Sequence, residues 1–409
     1  MSRFESVTCL GCGCSCDDIA VTVDGTRIAN VERSCTLGTK WFGDGSTAQS
    51  ARIGGRVVEP EVAWAEAGSR LRTSSASGRA LVYLAAEVTT DGQRAAVALA
   101  DRLGARIDSV SSDTIARGIL AAQRRGRSSA TLGELRDRVD LAVFWGVDPA
   151  DRYPRFLERY LPRAGRQFIA VDVGEARGPA DADQRLIVSA AEELGALAVM
   201  RAAAAGRLPP GLEGPMAAAA EIGKRLTAAR YCAVIHDAEP GAIAPNPERA
   251  EGLIGLTQGL NTPTRAALCG LRAGGNRMGA DQVLTWQTGF PMTVDFAGGA
   301  PRYQPARPAS ALLAAGAIDL VVVVGDYHTL PPGVAGALDP NRTIVIGPNA
   351  TVTAPPEAIA IDTGRAGIHE GGTAFRLDDV PLPVTALLPG PLTIERAVRQ
   401  LQQAATVAR

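Results

Sequence analysis

The sequence predicts an α/β protein with a small N-terminal β module followed by two doubly wound α/β domains. Three observations carry that expectation. From residue 80 onward, short and continuously apolar runs alternate with Ala-rich amphipathic stretches, the pattern of parallel strands buried on both faces between helices. The 409 residues are enough for about two to three domains, and 46% of them are hydrophobic, enough to fill their cores. The first 50 residues differ, being rich in Cys and Gly and then strand-like around a turn dipeptide.

Taken in order, Ile19–Val23 and Arg27–Val31 flank Asp24-Gly25, a dipeptide that favours the tight turns of antiparallel hairpins. Strands are expected at Ala80–Ala86, Leu141–Trp145, Phe168–Val173, Tyr231–His236, Leu320–Gly325 and Thr343–Gly347. Helices are expected at Asp91–Leu103, Ala191–Ala204, Gly214–Ala229, Pro247–Leu260 and Asp281–Gly289. Pro209–Gly214 and Thr288–Arg307 are turn-rich and read as loops or domain joints. Ligands of open α/β sheets lie beyond the carboxyl ends of the strands, which directs attention to Trp145–Pro149 and Val324–His328. Neither segment contains the dinucleotide GxGxxG, and no Walker A motif occurs.

Composition excludes several function classes. The 42 Lys and Arg balance 43 Asp and Glu, which argues against a nucleic-acid binder. All but Lys40 and Lys224 of the basic residues are Arg, a bias that reads as genome composition. No apolar run reaches the roughly 18 to 20 residues of a membrane span, and the start lacks the basic-then-apolar build of a signal peptide. A cytoplasmic protein with no membrane partner is expected.

Five of the seven cysteines lie in the first 35 residues. Cys9, Cys12 and Cys16 follow a C-x2-C-x3-C spacing, and Cys35 completes four thiols. Four thiolates suit a 4Fe-4S cluster or a tetrahedral zinc, and an unmetallated remnant is the third reading; Cys14 offers alternative pairings. Cys232 and Cys269 sit in apolar runs and read as buried core thiols. The three histidines, His236, His328 and His369, form no zinc-type spacing. His236-Asp237 has the makings of an acid/base pair, although a strand-end His is more often a hydrogen-bonded structural residue.

Together these segments resemble a known family. The stretch CLGCGCSCDDI at Cys9–Ile19, with CTLGTKWF at Cys35–Phe42, is similar to the cluster-binding N terminus of the B subunit of formylmethanofuran dehydrogenase, a short member of the molybdopterin oxidoreductase superfamily. Further matches follow in family order: FWGVDP at Phe144–Pro149, GNRMG at Gly275–Gly279, VLTWQTGFP at Val283–Pro291, DFAGGAPRY at Asp295–Tyr303 and EGGT at Glu370–Thr373. The resemblance implies a 1–52 Cys-rich β module, a discontinuous α/β domain of 53–118 with 275–409, and an inserted α/β domain of 119–274. It also implies a bispterin site touching Trp145, Gly146, Asp148, Trp286, Gln287 and Thr288, and Cys9, Cys12, Cys16 and Cys35 as 4Fe-4S ligands.

The chain departs from the family where the tungsten or molybdenum would be held. The family's Cys or selenocysteine ligand follows the second strand, and the equivalent Ile107–Ala116 contains neither Cys nor His. The family's WGxNP Asn is Asp148, a carboxylate where a pyrophosphate would lie. The pterin site is therefore expected to be degenerate and empty, and the tungsten/molybdenum-bispterin absent. Such a chain most resembles the B subunit of the bacterial formyltransferase/hydrolase complex. That resemblance implies a non-redox, structural subunit, without catalytic residues of its own, in a hetero-oligomer with A, C and D subunits. The D subunit transfers formyl from formyl-tetrahydromethanopterin to a methanofuran-type carrier, and the A subunit hydrolyses it to formate, in methylotrophic one-carbon metabolism and formaldehyde oxidation. The alternative reading is a competent tungsten/molybdenum dehydrogenase subunit; a zinc-ribbon-like binding module is a third.

Overall fold

Continuous apolar runs of five to seven residues have no polar face to leave in water, so they settle in the middle of sheets. In the computed structural model, which describes residues 1–241 and 243–406, all six runs expected as strands are strands, and all five expected helices are present. The chain divides into two units, one of residues 1–114, 273–376 and 381 onward, the other of 115–272 with 377–380.

The first unit opens with an antiparallel sheet of β1 (Ser2–Val7), β2 (Ile19–Asp24) and β3 (Arg27–Glu32). Asp24 pairs with Arg27 across the predicted turn, and Gly25 takes φ +59°, which glycine adopts without steric cost. The same unit contains a nine-stranded sheet. Its strands are β4 (Ala51–Ile53), β5 (Arg56–Val58), β6 (Ala80–Leu84), β7 (Arg106–Ser109), β13 (Val294–Asp295), β14 (Arg302–Tyr303), β15 (Leu320–Val324), β16 (Thr343–Pro348) and β17 (Ile359–Thr363). They lie in the order β14-β13-β7-β6-β15-β16-β17-β4-β5, with a parallel centre from β7 to β17 and antiparallel flanks.

Alternate residues of the central strands enter two different cores. Val82, Leu84, Val322, Val324, Ile344 and Ile346 pack with the helices Pro60–Ala76, Thr90–Leu103, Arg277–Thr288 and Ile394–Thr406. Leu81, Tyr83, Val321, Val323 and Val345 pack on the other face with Ala309, Leu312 and Val334. Each buried Val, Leu or Ile contributes about 1.5–3 kcal/mol relative to exposure. Helix Ile394–Thr406 buries Ile394, Ala397, Val398, Leu401 and Ala405, one face of a 3.6-residue repeat. A Cβ on Gly68 would lie 2.6 Å from the backbone of Ala404, so helices Pro60–Ala76 and Ile394–Thr406 touch almost backbone to backbone.

The expectation of a plain loop over Thr288–Arg307 is corrected. β13 and β14 form a short hairpin there, with Val294 paired to Ile107. Two-residue strands are too short to show a period in sequence. A two-stranded sheet of β18 (Gly372–Phe375) and β19 (Pro381–Val384) completes this unit.

The second unit is a five-stranded, wholly parallel sheet of β8 (Leu141–Trp145), β9 (Gln167–Val173), β10 (Gln184–Val188), β11 (Cys232–Asp237) and β12 (Ala266–Leu271). Its order, β10-β9-β8-β11-β12, reverses direction between β8 and β11. The first unit's parallel centre reverses likewise between β6 and β15. Those two reversals are the positions at which doubly wound sheets bind ligands. No helix among the described residues is long and apolar enough to cross a membrane.

Candidate functional site

The cysteine segment closes on itself because the Cys9 amide donates to the Cys16 carbonyl at 2.8 Å and the Ser15 amide to that of Cys12 at 3.1 Å. Cys9, Cys14 and Cys16 are buried, and Cys12 and Cys35 are partly so. Burial holds the Cys9 thiol well above its ordinary range, and the nearby Cys12, Cys16 and Cys35 sulfurs push it the same way. Glycine makes room around that sulfur: the Gly11 amide lies 3.4 Å from Cys9 Sγ, and a Cβ on Gly38 would lie 3.1 Å from it. The fifth thiol, Cys14, hydrogen-bonds Cys12. Among the described residues, no three His, Cys, Asp or Glu side chains are grouped to hold a single metal ion.

The loop is seated on the β6–β15 reversal. The Gly275 amide donates to the Leu10 carbonyl (2.8 Å), and the Gly275 carbonyl accepts from the Glu87 amide (2.7 Å). Glu87 is a residue the sequence did not single out. It is 8% exposed, adopts φ +70°, and its carboxylate accepts from Trp41 Nε1 at 2.7 Å while Arg365 Nε lies 3.3 Å away. Arg365 also donates to the Trp41 carbonyl (3.1 Å). Burial pushes the Glu87 carboxyl up to about 7, with Arg365 acting against it. The reversal itself is zipped shut by backbone: Ala86 and Asp326 form a bridge, and a Cβ on Gly325 would meet the Ala86 carbonyl oxygen.

After β7, where the resemblance places a metal ligand, Asp108 is instead a structural carboxylate. It accepts from the Ser109 amide (2.8 Å), Ser112 Oγ (2.7 Å), the Thr293 amide (3.0 Å) and the Ala309 amide (2.9 Å). Burial nevertheless pushes it up to about 7.

In the second unit, the crevice at the β8–β11 reversal is filled. Gly146 takes φ +61°, and Ile243 covers it so closely that a Cβ there would lie 2.8 Å from Ile243 Cγ2. In dinucleotide folds such a glycine lets the backbone approach a pyrophosphate; here an apolar side chain has that place. The covering segment is anchored by the buried Glu193, which accepts from Trp145 Nε1 (2.9 Å), Asn246 Nδ2 (2.7 Å) and Arg249 Nε (2.5 Å). Arg249 in turn donates to the Ala244 carbonyl (2.8 Å).

The sequence-predicted site residues take these positions. Trp145 is fully buried. Asp148 caps the following short helix by accepting from the Ala150 amide at 2.9 Å, and partial burial raises its carboxyl. Trp286, Gln287 and Thr288 end the helix Arg277–Thr288 of the first unit. Trp286 is 56% exposed, with its ring edge-on to Phe375 at 5.4 Å; Gln287 is exposed; Thr288 donates to the Leu284 carbonyl at 2.6 Å. Cys232 and Cys269 are buried, and desolvation pushes both thiols up to about 12.

His236 and Asp237 do not make an acid/base pair. Asp237 accepts from Arg152 Nη1 (2.7 Å) and the Tyr153 hydroxyl (3.1 Å). His236 is brought down to about 4 by burial, helped by the Arg127 and Arg249 charges. A base whose folded pKa is depressed contributes stability that is complete above its unfolded pKa, near 6.5, and is lost as pH falls toward 4. His236→Gln is therefore expected to flatten the fall in unfolding free energy between pH 6.5 and 4 by at most about 3 kcal/mol, read from denaturant midpoints across that range.

No protein-family model matches the chain. It is 27% identical to the B subunit of the tungsten-containing formylmethanofuran dehydrogenase 2 of Methanococcus maripaludis, over 96% of this chain and 95% of that one. The corresponding chain of Methanocaldococcus jannaschii is 28% identical over 95% and 94%. The B subunit of the formyltransferase/hydrolase complex Fhc of Methylorubrum extorquens is 32% identical over 55% of this chain and 59% of that one. Among solved structures, a chain of the formyltransferase/hydrolase complex FhcABCD from Methylorubrum extorquens, crystallised with methylofuran, superposes with a TM-score of 0.68 at 25% identity, covering 84% of this chain and 96% of that one.

Proposed function

We propose that this chain, which belongs to the family of formylmethanofuran dehydrogenase B subunits, is the non-redox, structural B subunit of a formyltransferase/hydrolase complex. In such a complex, formyl passes from formyl-tetrahydromethanopterin to a methanofuran-type carrier and is released as formate, and that chemistry resides on the A and D subunits. The observation that carries the reading is Ile243 seated over Gly146 at the β8–β11 reversal, held there by Glu193 through Asn246 and Arg249. A metal-bispterin does not fit these residues. Ile107–Ala116 contains no thiolate, Asp108 is saturated by four donors, and carboxylates stand at the strand ends where pyrophosphates would bring like charge.

A 4Fe-4S cluster does fit. Gly11 and Gly38 leave space at Cys9 Sγ, and the Gly11 amide is placed to donate to that sulfur. Cys9, Cys12, Cys16 and Cys35 would hold the cluster, which when bound supplies a one-electron couple and an inorganic cross-link between the loop and the helix Thr36–Phe42. Similarity to a chain of the FhcABCD complex supports assembly with further subunits.

Metal, sulfide and pterin analysis of the chain, purified anaerobically with its partners, tests the proposal. The expected result is neither tungsten nor molybdenum and no pterin, with iron and acid-labile sulfide in about equal, cluster-like amounts. Tungsten or molybdenum near one per chain would instead establish the dehydrogenase reading, which the near full-length similarity to two tungsten-containing enzymes favours. About one zinc without sulfide would replace the cluster. Asp148→Asn is expected to leave formate production by the assembled complex unchanged; a fall in turnover with assembly intact counts against a structural role.

A further inference from the structure

The four thiols of the quartet belong to two different elements. Cys9, Cys12 and Cys16 lie in the loop between β1 and β2, whereas Cys35 is the N-cap of the helix Thr36–Phe42, its carbonyl accepting from the Thr39 amide at 2.8 Å. Helices shorter than about 12–15 residues are marginal on their own in water, so this helix of 7 residues takes its position from what surrounds it. The place of the fourth thiol is therefore set by tertiary ties to the far end of the helix, around Trp41.

Those ties converge on Glu87. Its carboxylate accepts from Trp41 Nε1 at 2.7 Å, and its amide donates at 2.7 Å to the carbonyl of Gly275, whose own amide donates to the Leu10 carbonyl at 2.8 Å. One residue thus holds the helix by its side chain and the cysteine loop, through Gly275, by its backbone. Arg365 completes the grip. It faces the carboxylate at 3.3 Å and donates at 3.1 Å to the Trp41 carbonyl, one of the acceptors that a helix end leaves without an intrahelical partner. Loop and helix meet directly between these ties: a Cβ on Gly11 would lie 3.2 Å from both the Leu37 carbonyl oxygen and Trp41 Cβ, and one on Gly38 would lie 3.1 Å from Cys9 Sγ.

The arrangement is costly to the fold. Glu87 is a non-glycine residue at φ +70°, its carboxylate is buried, and Oε2 accepts no hydrogen bond although Arg365 Nε faces it. A buried ion pair contributes little net stability, and a position that only had to be filled would need neither the strain nor the charge. Both are accounted for by a demand on geometry, that the helix be held in one place against the loop.

We infer that Glu87 is the positioning residue of the four-thiol site: with Arg365 it fixes the helix Thr36–Phe42, and so Cys35, against the Cys9–Cys16 loop in the metal-free chain. The inference rests on the reading of Cys9, Cys12, Cys16 and Cys35 as cluster ligands, and its test begins on the full-length chain without metal. Hydrogen–deuterium exchange across Thr36–Phe42 is expected to be at least about tenfold faster in Glu87→Ala and in Trp41→Phe, since each loses the same charge-assisted bond. The double variant is expected to be no faster than Glu87→Ala alone. Exchange in β6 of the same unit is expected to be unchanged. Glu87→Gln, whose amide oxygen still accepts from the indole, is expected to return helix exchange to within about threefold of the wild type. After anaerobic reconstitution with iron and sulfide, iron release to a chelator is expected to be about tenfold faster in Glu87→Ala than in the wild type. Wild-type helix exchange in both Glu87→Ala and Trp41→Phe would overturn the assignment, and so would equal acceleration of the helix and β6, the mark of a general loss of stability. A wild-type chain that takes up no iron would remove the cluster reading alone, because the metal-free comparison still decides the role of Glu87.

Discussion

Gly274→Ala is expected to unseat the cysteine loop and, with it, to lower the iron content that the proposed cluster predicts. The new Cβ would fall on the Leu10 carbonyl oxygen and within 2.7 Å of the Cys12 amide nitrogen and 2.8 Å of its Cα. All three are backbone atoms, so no rotamer change relieves the overlap. Moving the two segments apart would break the Gly275-to-Leu10 bond and strain the Glu87-to-Gly275 bond behind it. Overpacking of this kind costs about 1–3 kcal/mol, and the lost buried hydrogen bond about 1 kcal/mol more, giving roughly 2–4 kcal/mol in all. The readouts are the denaturant midpoint and iron and sulfide per chain, both expected to fall. Gly259→Ala is the control. It lies inside helix Arg249–Leu260 with nothing within 4 Å of the added Cβ, and is expected to leave iron unchanged while gaining about 0.5–1 kcal/mol. Full iron content in Gly274→Ala would show that the loop does not depend on its seat at Gly274-Gly275.

The central strands were legible because an unbroken apolar run has one comfortable place in a sheet. β17 was harder to read. Asp362 and Thr363 interrupt its apolar run, yet both are buried, since Asp362 accepts from the Ser50 amide (3.0 Å) and the Thr351 amide (2.8 Å). The residues that close the two sheet reversals had no local signature. Trp41, Glu87 and Arg365 are far apart in the chain and meet only once the first unit has folded. Ile243 is an ordinary apolar residue in a Pro-rich loop until the fold lays it on Gly146. That Ile107–Ala116 contains no Cys is read from the sequence; that Ile243 covers Gly146 is a tertiary fact.

Removing the Glu193 carboxylate should strongly destabilise the second unit. Glu193→Ala strands the Arg249 guanidinium, the Trp145 indole N–H and the Asn246 amide together, all of which now donate to it. Deleting one partner of a buried ion pair costs about 3–5 kcal/mol, chiefly because the other charge stays buried without compensation. The double variant Glu193→Leu with Arg249→Met removes both charges and is expected to cost less than the single one, a non-additivity measurable by denaturation. The two variants also differ in what they do to the crevice. Arg249 is tied to the Ala244 carbonyl, so release of its charge partner should loosen the segment that carries Ile243, seen as faster amide exchange around Ala244–Arg249. An opened crevice then tests the structural reading directly. Asp148 still stands just past β8, and a carboxylate at that place predicts no uptake of a pterin dinucleotide by Glu193→Ala. If the opened chain did bind one, Ile243 would be a gate over a working site, and the role of this protein would have to be rewritten around it.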